Sequence, residues 1–170
     1  MPRWWNQFQS RFYSRLRWLP ERAASHITRP TDIPMPSLAS LGKPVAEARV
    51  GLVTAGGTHL ADDVPFDMAN KEGDASFRII PGEVDVADIR ITHDYYDHTA
   101  ADQDINCVLP IERLREFAVA GEIGEVAPRH VGMMGHLLAS QAERLVGQTA
   151  REMAEVFLED QVDLVLASPG

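Results

Sequence analysis

Apolar residues gather along the chain into short runs and stripes that predict alternating strands and helices. Continuous apolar runs at 48–54 and 162–167 are typical of strands buried on both faces, and shorter strands are predicted at 77–80 and 86–92. Proline is tolerated in the first turn of a helix, so Pro110 predicts a helix over 111–120. A second, long helix over 137–159 is predicted by apolar residues at helical spacing: Leu138, Ala142, Leu145, Met153 and Val156.

This alternation predicts an α/β domain over residues 45–170, with a mainly parallel sheet flanked by helices. Ligands of such sheets collect at the carboxyl ends of the strands. Gly56-Gly57, His93 and Ser168-Pro169-Gly170 each follow a predicted strand. Because the last predicted strand has no helix after it in this sequence, we expect the sheet to be incomplete at its C-terminal end.

Residues 1–44 form a separate region, predicted as an amphipathic helix followed by a proline-rich linker over 26–44. Apolar residues form a stripe along one side of this helix, and arginines flank the stripe. A stripe of this kind either docks on the protein's own body or on a partner subunit, or lies on a membrane surface. The apolar stripe consists of Trp5, Phe8, Phe12, Leu16 and Leu19.

Charge and cysteine content narrow the function classes. The formal net charge is −9, and because residues 1–30 carry six arginines against Glu21 alone, the remaining residues are strongly acidic. Such a surface repels phosphates and argues against nucleic-acid binding.

Three features of the sequence indicate the cellular compartment. Cys107 is the single cysteine, no apolar run reaches the length of a membrane span, and no secretory signal is recognisable. We therefore expect a cytoplasmic protein. Val108 and Leu109, the neighbours of Cys107, predict that it is a buried structural thiol.

The densest polar block runs from Thr92 to Asn106 and holds two histidines, four aspartates and two tyrosines. Such groups are costly to bury, so this density indicates a functional site. The alternative is a solvated acidic loop in which aspartates accept hydrogen bonds from nearby backbone amides. The catalytic candidates in the block are His93, Asp94, Tyr96, Asp97 and His98.

Further candidates lie outside that block. Gly56 and Gly57 would let an anion or substrate approach the backbone closely, although a plain turn after the strand explains them equally well. The spaced dinucleotide-binding fingerprint is absent. His130 and His136 are predicted in loops, where each is a candidate to line a cleft, although a lone histidine more often has a structural role.

A metal-dependent hydrolase is the rival enzymatic interpretation, with His93, Asp94, Asp97 and His98 as ligands. These residues lack a recognised ligand order. The calcium-loop pattern that starts at Asp102 fails at Cys107 and Arg113. We therefore expect no metal and no cofactor bound by this chain. A non-catalytic interaction module is the second rival.

Several segments resemble, in order, the selenoprotein B family of glycine, sarcosine, betaine and D-proline reductases. The resemblance covers roughly residues 45–170, and the block from His93 to Asn106 is its most specific part. The matching segments are Arg49–His59, Ile91–His98, Ala101–Asn106, Pro110–Leu114, and Ala127–His130 through Gly135–His136.

The resemblance implies reductive cleavage of a carbon–nitrogen bond in a small amino acid or amine. A selenocysteine or cysteine attacks the substrate carbon, a dithiol reduces the adduct, and a partner subunit can carry a pyruvoyl group. The family's reactive residue follows the strand corresponding to 162–167, whereas this sequence ends at Gly170. We therefore expect a chain that lacks the nucleophile. An in-frame UGA codon for selenocysteine just beyond Gly170 is the expected explanation, and a genuinely shortened or fragmentary product is the alternative. We also expect an oligomer. Which amine is the substrate stays open.

Beside the nucleophile, the resemblance leaves roles for the polar residues. Either His93 or His98 protonates the departing amine, Asp94 or Asp97 fixes the ring tautomer, and Tyr95 or Tyr96 donates a hydrogen bond. The expected substrate-binding set is Thr54, Gly56, Gly57, His59, Asp104, Asn106 and His130.

Overall fold

A computed structural model describes Trp5, Gln7, Phe8, Arg11 and residues 39–170, and it has a mixed α/β architecture. The strands are β1 (Arg49–Thr54), β2 (Thr58–Leu60), β3 (Phe77–Pro81), β4 (Ile89–Ile91), β5 (Glu125–Val126), β6 (Arg129–Met133) and β7 (Leu164–Ser168). The α-helices of residues 39–170 are α1 (Ile111–Val119), α2 (Ala139–Arg144) and α3 (Ala150–Glu159), and a π-helical turn over Leu145–Thr149 joins α2 to α3.

The larger sheet is built around β1. Strand β7 pairs in parallel along one edge of β1, from Val50 to Thr54, and β5 and β6 pair in parallel with the two ends of its other edge. Strand β3 closes the far side antiparallel to β6. Three parallel neighbours make β1 the centre of the sheet, which explains why its four inner residues, Val50 to Val53, are all apolar.

Alternate residues of β1 serve two cores. Val50 and Leu52 pack with Leu114 of α1, while Val53 packs on the opposite face with Met153 and Phe157 of α3. Gly51 lies on the α3 face, where a Cβ atom would come within 2.8 Å of the Phe157 ring. The helices thus cover both faces of the sheet at β1.

Strands β2 and β4 form a small antiparallel pair, in which β2 follows the turn after β1 and β4 precedes the polar block. Beyond the pair, the Thr92 amide donates to the Gly57 carbonyl at 2.9 Å. This bond holds His93, two residues after β4, against the turn that follows β1.

Four of the predicted elements are confirmed with small shifts, namely the strands at β1, β3 and β7 and the helix at α1. The predicted strand at 86–92 is wrong in its first half. Residues Val86–Asp88 form a 3-10 turn because the Asp85 carboxylate accepts from the Ala87 amide, and only Ile89–Ile91 is extended. The long helix is present from Ala139, with the π-helical turn in its middle.

The prediction of a loop at His130 is also wrong, because His130 lies on β6 and is fully buried. Its Nδ1 accepts from the Leu52 amide at 3.0 Å. The Pro128 carbonyl, which lies in the break between β5 and β6, accepts instead from Gly82. At this break the His130 imidazole, rather than a backbone carbonyl of the neighbouring strand, accepts the hydrogen bond from Leu52 of β1.

Cys107 is exposed rather than buried, because Val108 and Leu109 take the buried positions next to it. Of the predicted N-terminal amphipathic helix, Trp5, Gln7, Phe8 and Arg11 are helical. The rest of that helix, including Phe12, Leu16 and Leu19, and most of the proline-rich linker lie outside the described residues. No helix within the described part of the chain is long and apolar enough to cross a membrane.

Candidate functional site

The turn after β1 is tied to the carboxyl ends of its neighbours. The Ala55 amide donates to the Ser168 carbonyl at 2.9 Å, and the Gly57 amide donates to the Met133 carbonyl at 2.8 Å. Gly170 lies against the same turn, where a Cβ on it would come within 2.8 Å of the Gly56 Cα. The ends of β1, β6 and β7 therefore meet at Gly56.

Both glycines of this turn have structural reasons. Gly57 has a φ of 73°, and a Cβ on it would lie 2.6 Å from the Thr92 carbonyl oxygen. The Gly56 amide donates to the hydroxyl of Thr54 at 3.1 Å, so both glycine amides already have acceptors. Their role in receiving a substrate carboxylate stays a prediction.

His93 is held neutral at this edge. It is 5% exposed, and burial lowers its pKa to about 4, helped by the nearby His136 and His98 and opposed by Asp94. The Tyr95 amide donates to Nδ1 at 3.2 Å, so the proton of the neutral ring resides on Nε2. His93 can therefore donate one hydrogen bond from Nε2 without carrying a charge.

Aromatic rings surround His93. Its ring centroid lies 4.8 Å from that of Tyr96 and 6.0 Å from that of Tyr95, and Tyr95 stacks on His136 at 3.7 Å. The Tyr96 hydroxyl donates to the Gly56 carbonyl at 2.9 Å, and burial, with Asp102, raises the pKa of Tyr96 far above its usual value. Tyr96 thus stays protonated and links the polar block to the turn after β1.

His98 lies beside Tyr96, with ring centroids 5.6 Å apart, and its Nδ1 is 2.8 Å from Oδ1 of Asp102. His98 is among the predicted catalytic residues, but Asp94 or Asp97, and not Asp102, was predicted to fix the ring tautomer. The sequence signal for Asp102 is its spacing of four residues from His98 in a turn, where the Asp102 amide donates to the His98 carbonyl at 2.8 Å.

The two aspartates selected from the sequence serve other groups. Asp94 is 2% exposed and accepts from the Gln7 side chain at 3.0 Å, so the N-terminal segment reaches the polar block. Oδ1 of Asp97 accepts from the amide and the hydroxyl of Thr99. No sequence signal pointed to the contact between Gln7 and Asp94.

Asp104 and Asn106 belong to a network that starts α1. Asp104 accepts from the Asn106 amide and side chain, and Asn106 in turn bonds the Glu112 amide and carboxylate. Asp102, Asp104 and Glu112 also line a cavity of about 550 Å³ next to β4. The backbone-capping alternative therefore describes Asp104 and Asn106 well, and substrate binding by them stays a prediction.

The remaining predicted site residues are buried with internal partners. His59 bonds the Leu60 carbonyl through Nδ1 at 2.7 Å and the Thr92 hydroxyl through Nε2 at 2.8 Å. Burial lowers the pKa of His130 to about 4, with Arg115 adding to the effect. The residues that the fold brings together at one edge are therefore Gly56, Gly57, His93, Tyr96 and His98, with Thr54 beneath them.

Among the residues that the structure describes, no group of three or more histidine, cysteine, aspartate or glutamate side chains is arranged to hold a metal ion. The four ligands proposed for a hydrolase are individually engaged: His93 with Tyr95, Asp94 with Gln7, Asp97 with Thr99, and His98 with Asp102.

Comparison with known proteins points to one family. The family model described as glycine/sarcosine/betaine reductase selenoprotein B matches residues 29–169. The chain is 36% identical over 137 residues to the D-proline reductase subunit gamma of Acetoanaerobium sticklandii, an alignment that covers 81% of this chain and 54% of that protein. It is 30% identical over 147 residues to the glycine reductase complex component B subunit gamma of Symbiobacterium thermophilum, covering 80% of this chain and 33% of that protein.

The chain thus spans about half the length of the first relative and a third of the second. No solved structure matches it significantly.

Proposed function

Because the chain belongs to the glycine/sarcosine/betaine reductase selenoprotein B family, we propose that it forms part of an amino-acid reductase complex. The reaction is the reductive cleavage of a carbon–nitrogen bond. The two relatives described above are named as subunits of such reductases. A reducing compartment such as the cytoplasm would keep the required dithiol reduced.

One observation of this chain carries the proposal. Neutral His93, protonated Tyr96 and His98 gather where β1, β6 and β7 end, beside Gly56 and Gly170. Ligands of α/β sheets bind at this edge. These side chains donate hydrogen bonds or exchange a proton, as a departing amine requires.

The chemistry balances with a dithiol as the reductant. The carbon–nitrogen bond breaks, its electron pair stays on nitrogen, and nitrogen takes up a proton. The carbon gains a hydrogen after nucleophilic attack and reduction, and two thiols become one disulfide. His98 or His93 supplies the proton to nitrogen, and Tyr96 orients the site through its bond to Gly56.

The attacking residue of this proposal is a selenocysteine or cysteine close after Gly170, and a pyruvoyl group belongs to a partner subunit. Support comes from Gly170, which lies against the Gly56 turn, so a nucleophile within a few residues of it would reach the site. Cys107 is exposed in a 3-10 turn and is assigned no part.

The N-terminal amphipathic helix fits this proposal as a docking segment. Trp5, Gln7, Phe8 and Arg11 are helical, and Gln7 bonds the buried carboxylate of Asp94. Docking on the protein's own body places this segment beside His93, the neighbour of Asp94.

The test is capture of the complex from its native cells, with the tag placed before Met1 in the chromosomal gene so that any coding sequence after Gly170 stays intact. The captured material is supplied with dithiothreitol and, separately, with D-proline, glycine, sarcosine or betaine. We expect dithiol-dependent cleavage of the carbon–nitrogen bond in at least one of them. A stoichiometric complex that cleaves none of the four would contradict the proposal.

A further inference from the structure

Two histidines lie at the site, and their surroundings separate their roles. His93 is almost completely buried, and its Nδ1 is bonded to a backbone amide. His98 keeps 19% of its side chain exposed, and its Nδ1 is bonded to a carboxylate. Only the second arrangement provides an anion that stabilises the ring when it takes up a proton.

We propose that Asp102 is a positioning residue that holds His98 with its proton on Nδ1, which makes His98 the proton-exchanging group of the site. This inference rests on the proposed function and deepens it by choosing between His93 and His98. Tyr96 packs against the His98 ring at 5.6 Å and limits its rotation.

The geometry around the pair supports this assignment. A distance of 2.8 Å between Nδ1 and Oδ1 is that of a direct hydrogen bond, and the turn from His98 to Asp102 is closed by a backbone bond between the same two residues. Within the described part of the chain, Nε2 of His98 has no hydrogen-bond partner. The nitrogen that Asp102 leaves unprotonated is thus available to a substrate.

Among the described residues, the groups beside His98 differ in their charge: Asp102 is the bonded carboxylate, Tyr96 stays protonated, and burial keeps His93 neutral. Asp102 is half exposed and borders the cavity beside β4. A pair this exposed adds little stability, and its tight geometry is better explained by orientation of the ring.

The first arm of the test is the tautomer of His98 in the full chain, measured from imidazole ¹⁵N chemical shifts in mildly alkaline buffer. We expect the Nδ1–H form in the wild type. In Asp102→Asn the amide donates to Nδ1, and we expect the Nε2–H form. Asp104→Asn removes the same charge from the same loop without touching His98, and it should leave the tautomer unchanged.

The second arm is activity of the captured complex. Asp102→Asn should lower kcat about 10- to 100-fold with little change in KM, because the ring is misoriented rather than removed. Asp102→Glu should restore part of the loss. The melting temperature should shift by less than about 3 °C, which separates the effect from unfolding.

An Nε2–H tautomer in the wild type, or a tautomer that Asp102→Asn leaves unchanged, would overturn the inference. So would an unchanged kcat in an active complex. If the complex proves to have no reductase activity, the proposed function fails, while the tautomer still decides whether Asp102 orients His98.

Discussion

Burial decides what the individual histidines of this chain can do. Both nitrogens of His59 bond a backbone carbonyl or a hydroxyl inside the protein. His130 accepts a backbone amide at Nδ1, whereas its buried Nε2 has no hydrogen-bond partner among the described residues. His93 is buried beside aromatic rings and stays neutral, whereas His98 reaches the surface with a carboxylate behind it. A sequence alone shows six equivalent imidazoles, and only the packing distinguishes them.

The lowered pKa values of His93 and His130 predict a loss of stability in mild acid. Each falls from 6.5 to about 4, so between these values the unfolded chain binds more protons than the folded one. Stability is therefore fully present above about pH 6.5 and declines as the pH falls to about 4, by roughly 3 kcal/mol per histidine. Urea unfolding across this window measures the decline.

His130→Asn is the variant that apportions the effect. The asparagine Oδ1 takes the place of Nδ1 as the acceptor for the Leu52 amide but does not protonate, so about half of the decline should disappear. The depressed carboxyl pKa of Asp160, which its bond to Arg129 causes, acts only at still lower pH. Wild-type and variant curves that run parallel between pH 6.5 and 4 would show that His130 does not titrate in this way.

Gly57 predicts a large cost on substitution. Gly57→Ala introduces a Cβ at 2.6 Å from the Thr92 carbonyl oxygen on a backbone with positive φ, and we expect about 3 kcal/mol of destabilisation. Gly121→Ala is the matched control, because Gly121 has a φ of 72° but open space around it, and should cost only about 1 kcal/mol. Chemical unfolding of both variants measures the difference, and equal costs would remove the argument for close approach.

At the scale of elements, strong local patterns were predictable. The apolar run of β1 and the proline before α1 gave the correct element types from sequence. Strand β6 was missed because Arg129, His130 and Gly132 have little strand propensity. They fit there only through tertiary contacts. A Cβ on Gly132 would lie 2.1 Å from the Thr58 carbonyl oxygen, so only glycine fits, and the His130 ring accepts the Leu52 amide in place of a backbone carbonyl.

The hydrogen-bond network before α1 has either a structural role or a role in substrate binding, and a substitution of Asn106 separates the two. Asn106→Ala removes bonds to Asp104 and Glu112 and should destabilise the protein by about 1–2 kcal/mol. Gln103→Ala, an exposed neighbour, is the control and should have little effect. A raised KM in the captured complex with unchanged stability would instead support substrate binding by Asn106.

Across the whole molecule, the two ends of the central sheet differ in charge. Ion pairs occupy the ends where β1, β6 and β7 begin: Arg49 with Glu125, Arg129 with Glu159 and Asp160, and Lys43 with Asp163. The opposite edge holds neutral His93 and protonated Tyr96. Sequence order predicted that Gly56 and His93 each follow a strand, and the structure brings both to one turn. The pairing of His98 with Asp102 depends on the conformation of a different turn and was not predicted.

The outer edge of β7 predicts that residues 1–170, produced alone, associate with another polypeptide. Leu164, Val165 and Leu166 remain 39–46% exposed, and a strand of a partner subunit would pair with this edge. We expect Leu166→Lys to reduce the mass of the species seen by light scattering. Leu158→Lys, on the exposed side of α3, should leave it unchanged; equal masses for wild type and Leu166→Lys would exclude association through β7.

Reductive cleavage differs from hydrolysis in the ratio of thiol consumed to amine formed. The captured complex is incubated with its best substrate and dithiothreitol, and both quantities are measured over time. We expect two thiols to be oxidised for each carbon–nitrogen bond broken, and we expect His98→Gln in this chain to reduce the rate. Formation of the amine without thiol oxidation would show that the cleavage is not reductive.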